Sequence, residues 1–168
     1  MLNPAKGHAA LRRGRWSVPG ATYFLTICTQ ARQTGLDSIA LAPSILQHAR
    51  ALSVGWNLRT AVVMPDHVHL VVELRADETL SSSVRKFKGL LSVIIRRHGI
   101  KWQRAYFDHR MRTKEDLLPV FLYVFLNPYR AMLIDTSQRW PAYYCSAADW
   151  IWFGDLTNCC HPVPAWLA

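Results

Sequence analysis

The sequence predicts an α+β domain of the ferredoxin-like, split βαβ type, an antiparallel sheet with helices on one face plus a C-terminal helix that carries a tyrosine. Three observations predict it. β-Branched and aromatic runs alternate with segments of helical period in the order strand, helix, strand, strand, helix, strand. The two central strand runs are separated only by Pro65 and Asp66, which suggests a tight antiparallel connection although the turn pair is not a favoured one. Finally, 168 residues with 51% hydrophobic content suffice for one sizeable core and not for two ordinary ones. The expected organisation is a basic arm over residues 1–18, one folded domain over 19–148 and a tail over 149–168.

Pro19 and Gly20 form a turn into the first strand, residues 21–30 (ATYFLTICTQ). Residues 43–54 place Ile45, Leu46, Ala49 and Leu52 at helical spacing and predict the first helix. Residues 58–64 and 67–74 are valine-rich strands. Residues 81–98 predict the second helix, with Val84, Phe87, Leu91, Ile94, Ile95 and His98 on one stripe and Arg85, Lys88, Ser92 and Arg96 on another. A fourth strand is expected over 105–112. Thr113 then caps a third helix with Lys114, Glu115 and Asp116 in its first turn, running to about residue 126, where Asn127-Pro128 interrupts it.

Composition narrows the function. With 20 Lys and Arg against 11 Asp and Glu, the net charge is +9, and an anionic partner follows, nucleic acid ahead of membrane. The longest apolar run, residues 117–126, is too short for the ~20 residues that span a bilayer. The basic N-terminus lacks the apolar stretch and cleavage site of a secretory signal. No membrane partner and a cytoplasmic location are therefore expected. Cys28, Cys145, Cys159 and Cys160 then read as thiols, and Cys159, Cys160 and His161 lack the second pair that a zinc site needs.

The most informative segment is Met64-Pro65-Asp66-His67-Val68-His69. Alternation along a strand puts His67 and His69 on one face and Val68 and Leu70 on the other. Two neutral imidazoles on one rigid strand suit a divalent cation, with a further ligand arriving from elsewhere; the plainer alternative is two unrelated polar groups on a solvated face. Asp66 is a reserve ligand. On the third helix Tyr123 and Asn127 stand four residues apart on one face, although a tyrosine in an apolar helix is more often core and an Asn before Pro more often a helix end. A cation polarising a phosphate oxygen would let a nearby phenol attack phosphorus and divide a hard displacement into two steps. Because a free phenol ionises only near pH ~10, that chemistry needs such help.

Basic residues surround these segments. Arg12, Arg13 and Arg15 lie in the arm, and Arg85, Lys88, Arg96, Arg104, Arg110 and Arg112 fall between the second helix and the start of the third, interleaved with Phe87, Trp102, Tyr106 and Phe107. Cations beside exposed rings suit single-stranded nucleic acid, whose phosphates track the charge while bases stack on the rings; a solvated helix face over a core, with Phe87 in that core, explains part of the same pattern.

With these residues in view, the chain resembles the single-tyrosine HUH transposases and, within them, the REP-associated tyrosine transposases of bacteria. The resemblance runs from about Arg13 to Ala147 and rests on four ordered blocks: Pro19-Gly20-Ala21-Thr22-Tyr23-Phe24, Val63 to His69, Trp102 to His109, and Tyr123-Val124-Phe125-Leu126-Asn127-Pro128. It implies that residues 19–148 are a catalytic domain, that His67 and His69 hold a metal with Asn127 as third ligand, and that Tyr123 is the nucleophile. It further implies Mg2+ or Mn2+ as cofactor and single-stranded DNA hairpins as substrate, cleaved through a 5′-phosphotyrosine bond that leaves a 3′-hydroxyl. A monomer is expected by the same resemblance, with a dimer as the alternative. Two departures stand out: Met132 replaces a glycine common in the family, and Tyr144-Cys145-Ser146 follows Trp140-Pro141 where paired serines are frequent.

Competing functions are a catalytically silent hairpin-binding protein, which would keep the charge and the rings but not need intact ligands, and an RNA-binding sheet, which has no use for the histidine pair.

Overall fold

A computed structural model describes residues 17–112 and 115–155. The arm residues Arg12, Arg13 and Arg15, the residues Thr113 and Lys114 expected to open the third helix, and Cys159, Cys160 and His161 lie outside the described residues.

Five strands, β1 (Thr22–Cys28), β2 (Trp56–Val63), β3 (His67–Leu74), β4 (Phe107–Arg110) and β5 (Tyr143–Cys145), form one sheet in the order β4-β1-β3-β2-β5, with every pairing antiparallel. The first four strands give the split βαβ order expected, and β5 extends the β2 edge. Val18-Pro19-Gly20-Ala21 forms the turn into β1: the Ala21 N–H donates to the Val18 carbonyl, and Gly20 at φ +74° occupies the position of such a turn that disfavours a side chain.

Helices α1 (Ala42–Ala51) and α2 (Leu80–Arg96) pack on one face. Pro43 sits in the first turn of α1, where its missing N–H has no intrahelical partner to lose. Thr79 caps α2 by accepting a hydrogen bond from the Ser82 N–H at 3.2 Å. The core of this face joins Tyr23, Leu25 and Ile27 of β1, Val68, Leu70, Val72 and Leu74 of β3, and Val84, Phe87, Leu91 and Ile95 of α2. Of the stripe read from the sequence, Val84, Phe87, Leu91 and Ile95 are buried and Ile94 partly so, whereas His98 lies beyond the helix and is exposed, as are Arg85 and Arg96.

The other face is partly covered by α3 (Leu118–Arg130) and α4 (Ala147–Asp155), whose Phe121, Val124, Phe125 and Phe153 pack on Val62, Met64 and Val71. A β-bulge between Leu58 and Thr60 shifts the phase of β2, so Leu58 joins the first core while Arg59 turns to the second, its guanidinium over the Phe121 ring. There Arg59 pairs with Asp149 of α4, a carboxylate also held by Ser146 and Trp152. Asp149 and Phe153, in the stretch expected as a tail, are buried by this packing.

Both ends of α3 differ from expectation. Helix α3 starts at Leu118, with Pro119 in its first turn and the Asp116 carboxylate accepting from the Leu118 N–H at 2.9 Å; Glu115 and Asp116 precede the helix. Nor does Asn127-Pro128 interrupt it. Pro128 falls in the last turns, where its missing N–H removes a single intrahelical bond and its ring is buried. The helix ends instead at Met132, φ +53°, with the Met132 N–H donating to the Tyr129 carbonyl and the Leu133 N–H to the Pro128 carbonyl, both at 3.0 Å.

Candidate active site

Alternation along β3 sends Val68 and Leu70 into the first core and turns His67 and His69 to the face that α3 partly covers. There the two Nε2 atoms stand 3.0 Å apart. Each ring is oriented through its other nitrogen: His67 Nδ1 lies 2.6 Å from Asp66 Oδ1, and His69 Nδ1 lies 3.0 Å from Thr26 Oγ1 of the neighbouring strand. Asp66 is fixed in turn by Arg32, whose Nε is 3.2 Å from Oδ2. Both Asp66 oxygens thus have partners, and the carboxylate orients the His67 ring.

Burial pushes both imidazoles toward the neutral form. For His67 burial outweighs the opposing hydrogen bond and charge of Asp66, and its pKa falls. For His69, only 4% exposed, burial and then the neighbouring His67 lower it to about 3. Two neutral rings with both Nδ1 atoms engaged present two Nε2 atoms to a common point. Adjacent nitrogens bound to one ion at ~2.1 Å lie about 3 Å apart when they subtend roughly a right angle, so the pair fits a divalent cation. Among the described residues no group of three His, Cys, Asp or Glu side chains able to hold a metal occurs; further ligands would come from an amide, a phenol, water or phosphate oxygen.

Helix α3 delivers Tyr123 to this point. Its burial pattern puts Phe121, Val124 and Phe125 into the second core and leaves Tyr123 41% exposed at the margin. The Tyr123 ring meets His69 edge-on at 5.2 Å between centroids and Phe24 at 5.8 Å, while Phe24 stacks on His69 at 5.2 Å. Arg130 lies over the Tyr123 ring, 5.9 Å from its centroid. Asn127, half-buried, follows one turn along α3.

The predicted basic residues do not gather there. Arg85 and Arg96 project from α2, on the layer opposite the histidines. Lys88 is half-buried and donates to the main-chain carbonyls of Gln103 and Arg104, and burial lowers its pKa, so it ties down the segment before β4 rather than standing free for phosphate. Arg104, Arg110 and Arg112 are exposed on and around β4, the margin next to β1. Residues missed by sequence reasoning are Arg32, Thr26, Phe24 and Arg130. Thr26 and Phe24 were recoverable from strand alternation, whereas Arg32 follows from a turn with Ala31 and Arg32 at φ +51° and +56° that no sequence signal marked.

The family model of the IS200-like transposases matches residues 17–115, more than half of the chain, and the chain belongs to that family. Membership places it among DNA-binding proteins of transposition. Among solved structures, a REP-associated tyrosine transposase bound to a REP hairpin is similar over 71% of this chain and 73% of its own, at 24% identity and a TM-score of 0.59, and shares the fold. A protein of Deinococcus radiodurans R1 assigned to the transposases aligns over 69% of this chain and 95% of its own, at 22% identity and a TM-score of 0.47. No curated protein matches.

Proposed function

We propose that the chain is a metal-dependent endonuclease and strand transferase for single-stranded DNA, cutting beside hairpins through a 5′-phosphotyrosine on Tyr123. The observation that carries this reading is the contact between the Tyr123 ring and His69, whose Nε2 faces that of His67. His67, His69 and Asn127 would hold Mg2+ or Mn2+, and the bound cation would polarise a phosphate oxygen and stabilise charge developing on the phosphoryl group.

The protein's own groups do the rest. Asp66 and Thr26 keep the imidazoles aimed, and Phe24 and Arg130 hold the phenol ring against His69. The Tyr123 hydroxyl gives up its proton to solvent and its oxygen attacks phosphorus, the bond to the 3′-oxygen breaks, and that oxygen takes up a proton to leave a 3′-hydroxyl while the 5′-phosphate stays on tyrosine. The reverse attack by a 3′-hydroxyl rejoins strands. We take the acting form to be a monomer, in which Tyr123 serves the histidines of its own chain. The hairpin as partner is supported by the likeness to a hairpin-bound structure and by the +9 charge.

The test is incubation with labelled single-stranded hairpin DNA with and without Mn2+, followed by denaturing electrophoresis. A metal-dependent covalent adduct, absent in Tyr123→Phe while hairpin binding stays within about twofold, is the expected result. Tight binding without an adduct across several hairpins would identify a silent hairpin-binding protein instead.

A further inference from the structure

Helices α3 and α4 cover the β2–β3 half of the histidine face, and the β1–β4 half carries two phenylalanines. Phe107 on β4 is 53% exposed, and Phe24 touches it edge-on at 6.3 Å between centroids. The register aligns this ring with the site: Phe107 pairs with Thr26, and Thr26 pairs with His69, so the three side chains stand in one row across the sheet. At the usual strand spacing, Phe107 is about 10 Å from His69 along that row. Phe24 bridges the gap, stacked on His69 and edge-on to Tyr123.

A half-exposed phenylalanine on a strand flank contributes little to the fold, because much of its surface still meets water. Beside a phosphate-processing site, the same surface suits a nucleobase. Phe24 meets Phe107 at a tilt of 66° and so buttresses a ring that is still 53% exposed. Arg130 over the Tyr123 ring supplies positive charge for the phosphate.

Resting on the proposed cleavage reading, we propose that Phe107, buttressed by Phe24, stacks on an unpaired base next to the phosphate that Tyr123 attacks. The β1–β4 margin is then a nucleobase subsite that positions the strand without reading its sequence, since every base has a face to stack.

The test is a double-mutant cycle in binding. Affinity for a single-stranded hairpin oligonucleotide is measured for wild type, Phe107→Leu and Phe107→Trp, and again with an abasic residue placed in turn at each nucleotide flanking the hairpin. Phe107→Leu, which keeps an apolar strand residue but no ring, should bind about 10-fold more weakly, and Phe107→Trp should not, in line with the usual worth of one base on one ring. At one flanking position the abasic residue should weaken wild type by a similar factor and weaken Phe107→Leu no further. Unchanged affinity in Phe107→Leu, or losses that multiply at every position, would overturn the subsite. The adduct assay run alongside keeps the two readings apart: an adduct with no coupling removes the subsite alone, whereas coupling with no adduct removes the cleavage reading alone.

Discussion

On the face of the sheet that meets α1 and α2, Leu25, Ile27, Val68, Leu70 and Val72 alternate without interruption, and each is buried. On the opposite face the same strands carry Phe24, Thr26, His67 and His69, and helix cover stops partway across. The first face is lined by hydrocarbon along these strands. The second buries His69 almost completely yet leaves Tyr123 and Phe107 open beside it. A sheet of this size can thus separate its tasks: hydrocarbon on one side holds the strands in register, and that register positions polar groups on the other within hydrogen-bonding distance.

The largest effect should come from the closed face. Phe87 is fully buried, with Trp56 at 5.7 Å and Trp102 at 6.4 Å between ring centroids. Phe87→Ala should lower stability by about 4 kcal/mol in denaturant unfolding, the usual cost of emptying an aromatic site. The matching truncation on the open face, Phe107→Ala, should lower it by less than about 1 kcal/mol. Equal losses would break the distinction between the faces.

Acidification comes next. The unfolded chain takes up protons on His67 and His69 near pH ~6.5, whereas in the folded protein both values are lowered, that of His69 to about 3. Between those limits the unfolded state binds more protons, so stability falls as pH falls. Metal-free protein should lose about 1.6 kcal/mol from His69 alone between pH 6.5 and pH 5. Asp149, whose hydrogen bonds from Arg59, Ser146 and Trp152 outweigh its burial and hold it below its ordinary value, contributes only at lower pH. Denaturant curves at both pH values should show this slope in wild type and a shallower one in His69→Gln; an identical slope in the variant would assign it elsewhere.

The smallest effect lies outside both faces. Met132 ends α3 in the left-handed conformation, φ +53°, and is 90% exposed. Met132→Gly should raise stability by roughly 0.5–1 kcal/mol, the relief of the β-carbon strain less the extra freedom of glycine in the unfolded chain. A loss of stability would show that the Met132 side chain makes a contact worth more than its strain.

The segments legible in the sequence are those whose period reports burial. Strand β3 runs from His67 to Leu74 as expected, because alternating valine and leucine mark one face and the histidine pair marks the other. The stripe of Val84, Phe87, Leu91 and Ile95 likewise named the buried side of α2. Illegible were the features set by distant contacts. The stretch from Trp140 to Phe153 lacks a clean period because Tyr143 and Tyr144 serve opposite cores and α4 is pinned by Arg59, ninety residues away in sequence. Pro128 read as a stop because local propensity could not foresee the buried place its ring occupies. In the site, His67, His69 and Tyr123 were legible and the structure brings them together; the distribution of arginines over both layers was not, since charge on a sequence carries no address on a fold.

The central claim is that the open face presents Tyr123 to a phosphate beside the histidine pair. The most direct measurement is mass spectrometry of the peptide that retains nucleotide after wild-type protein has been incubated with hairpin DNA and Mn2+ and then digested. The account predicts a phosphodiester on Tyr123. A nucleotide on Tyr129, Tyr143 or any other residue would contradict it.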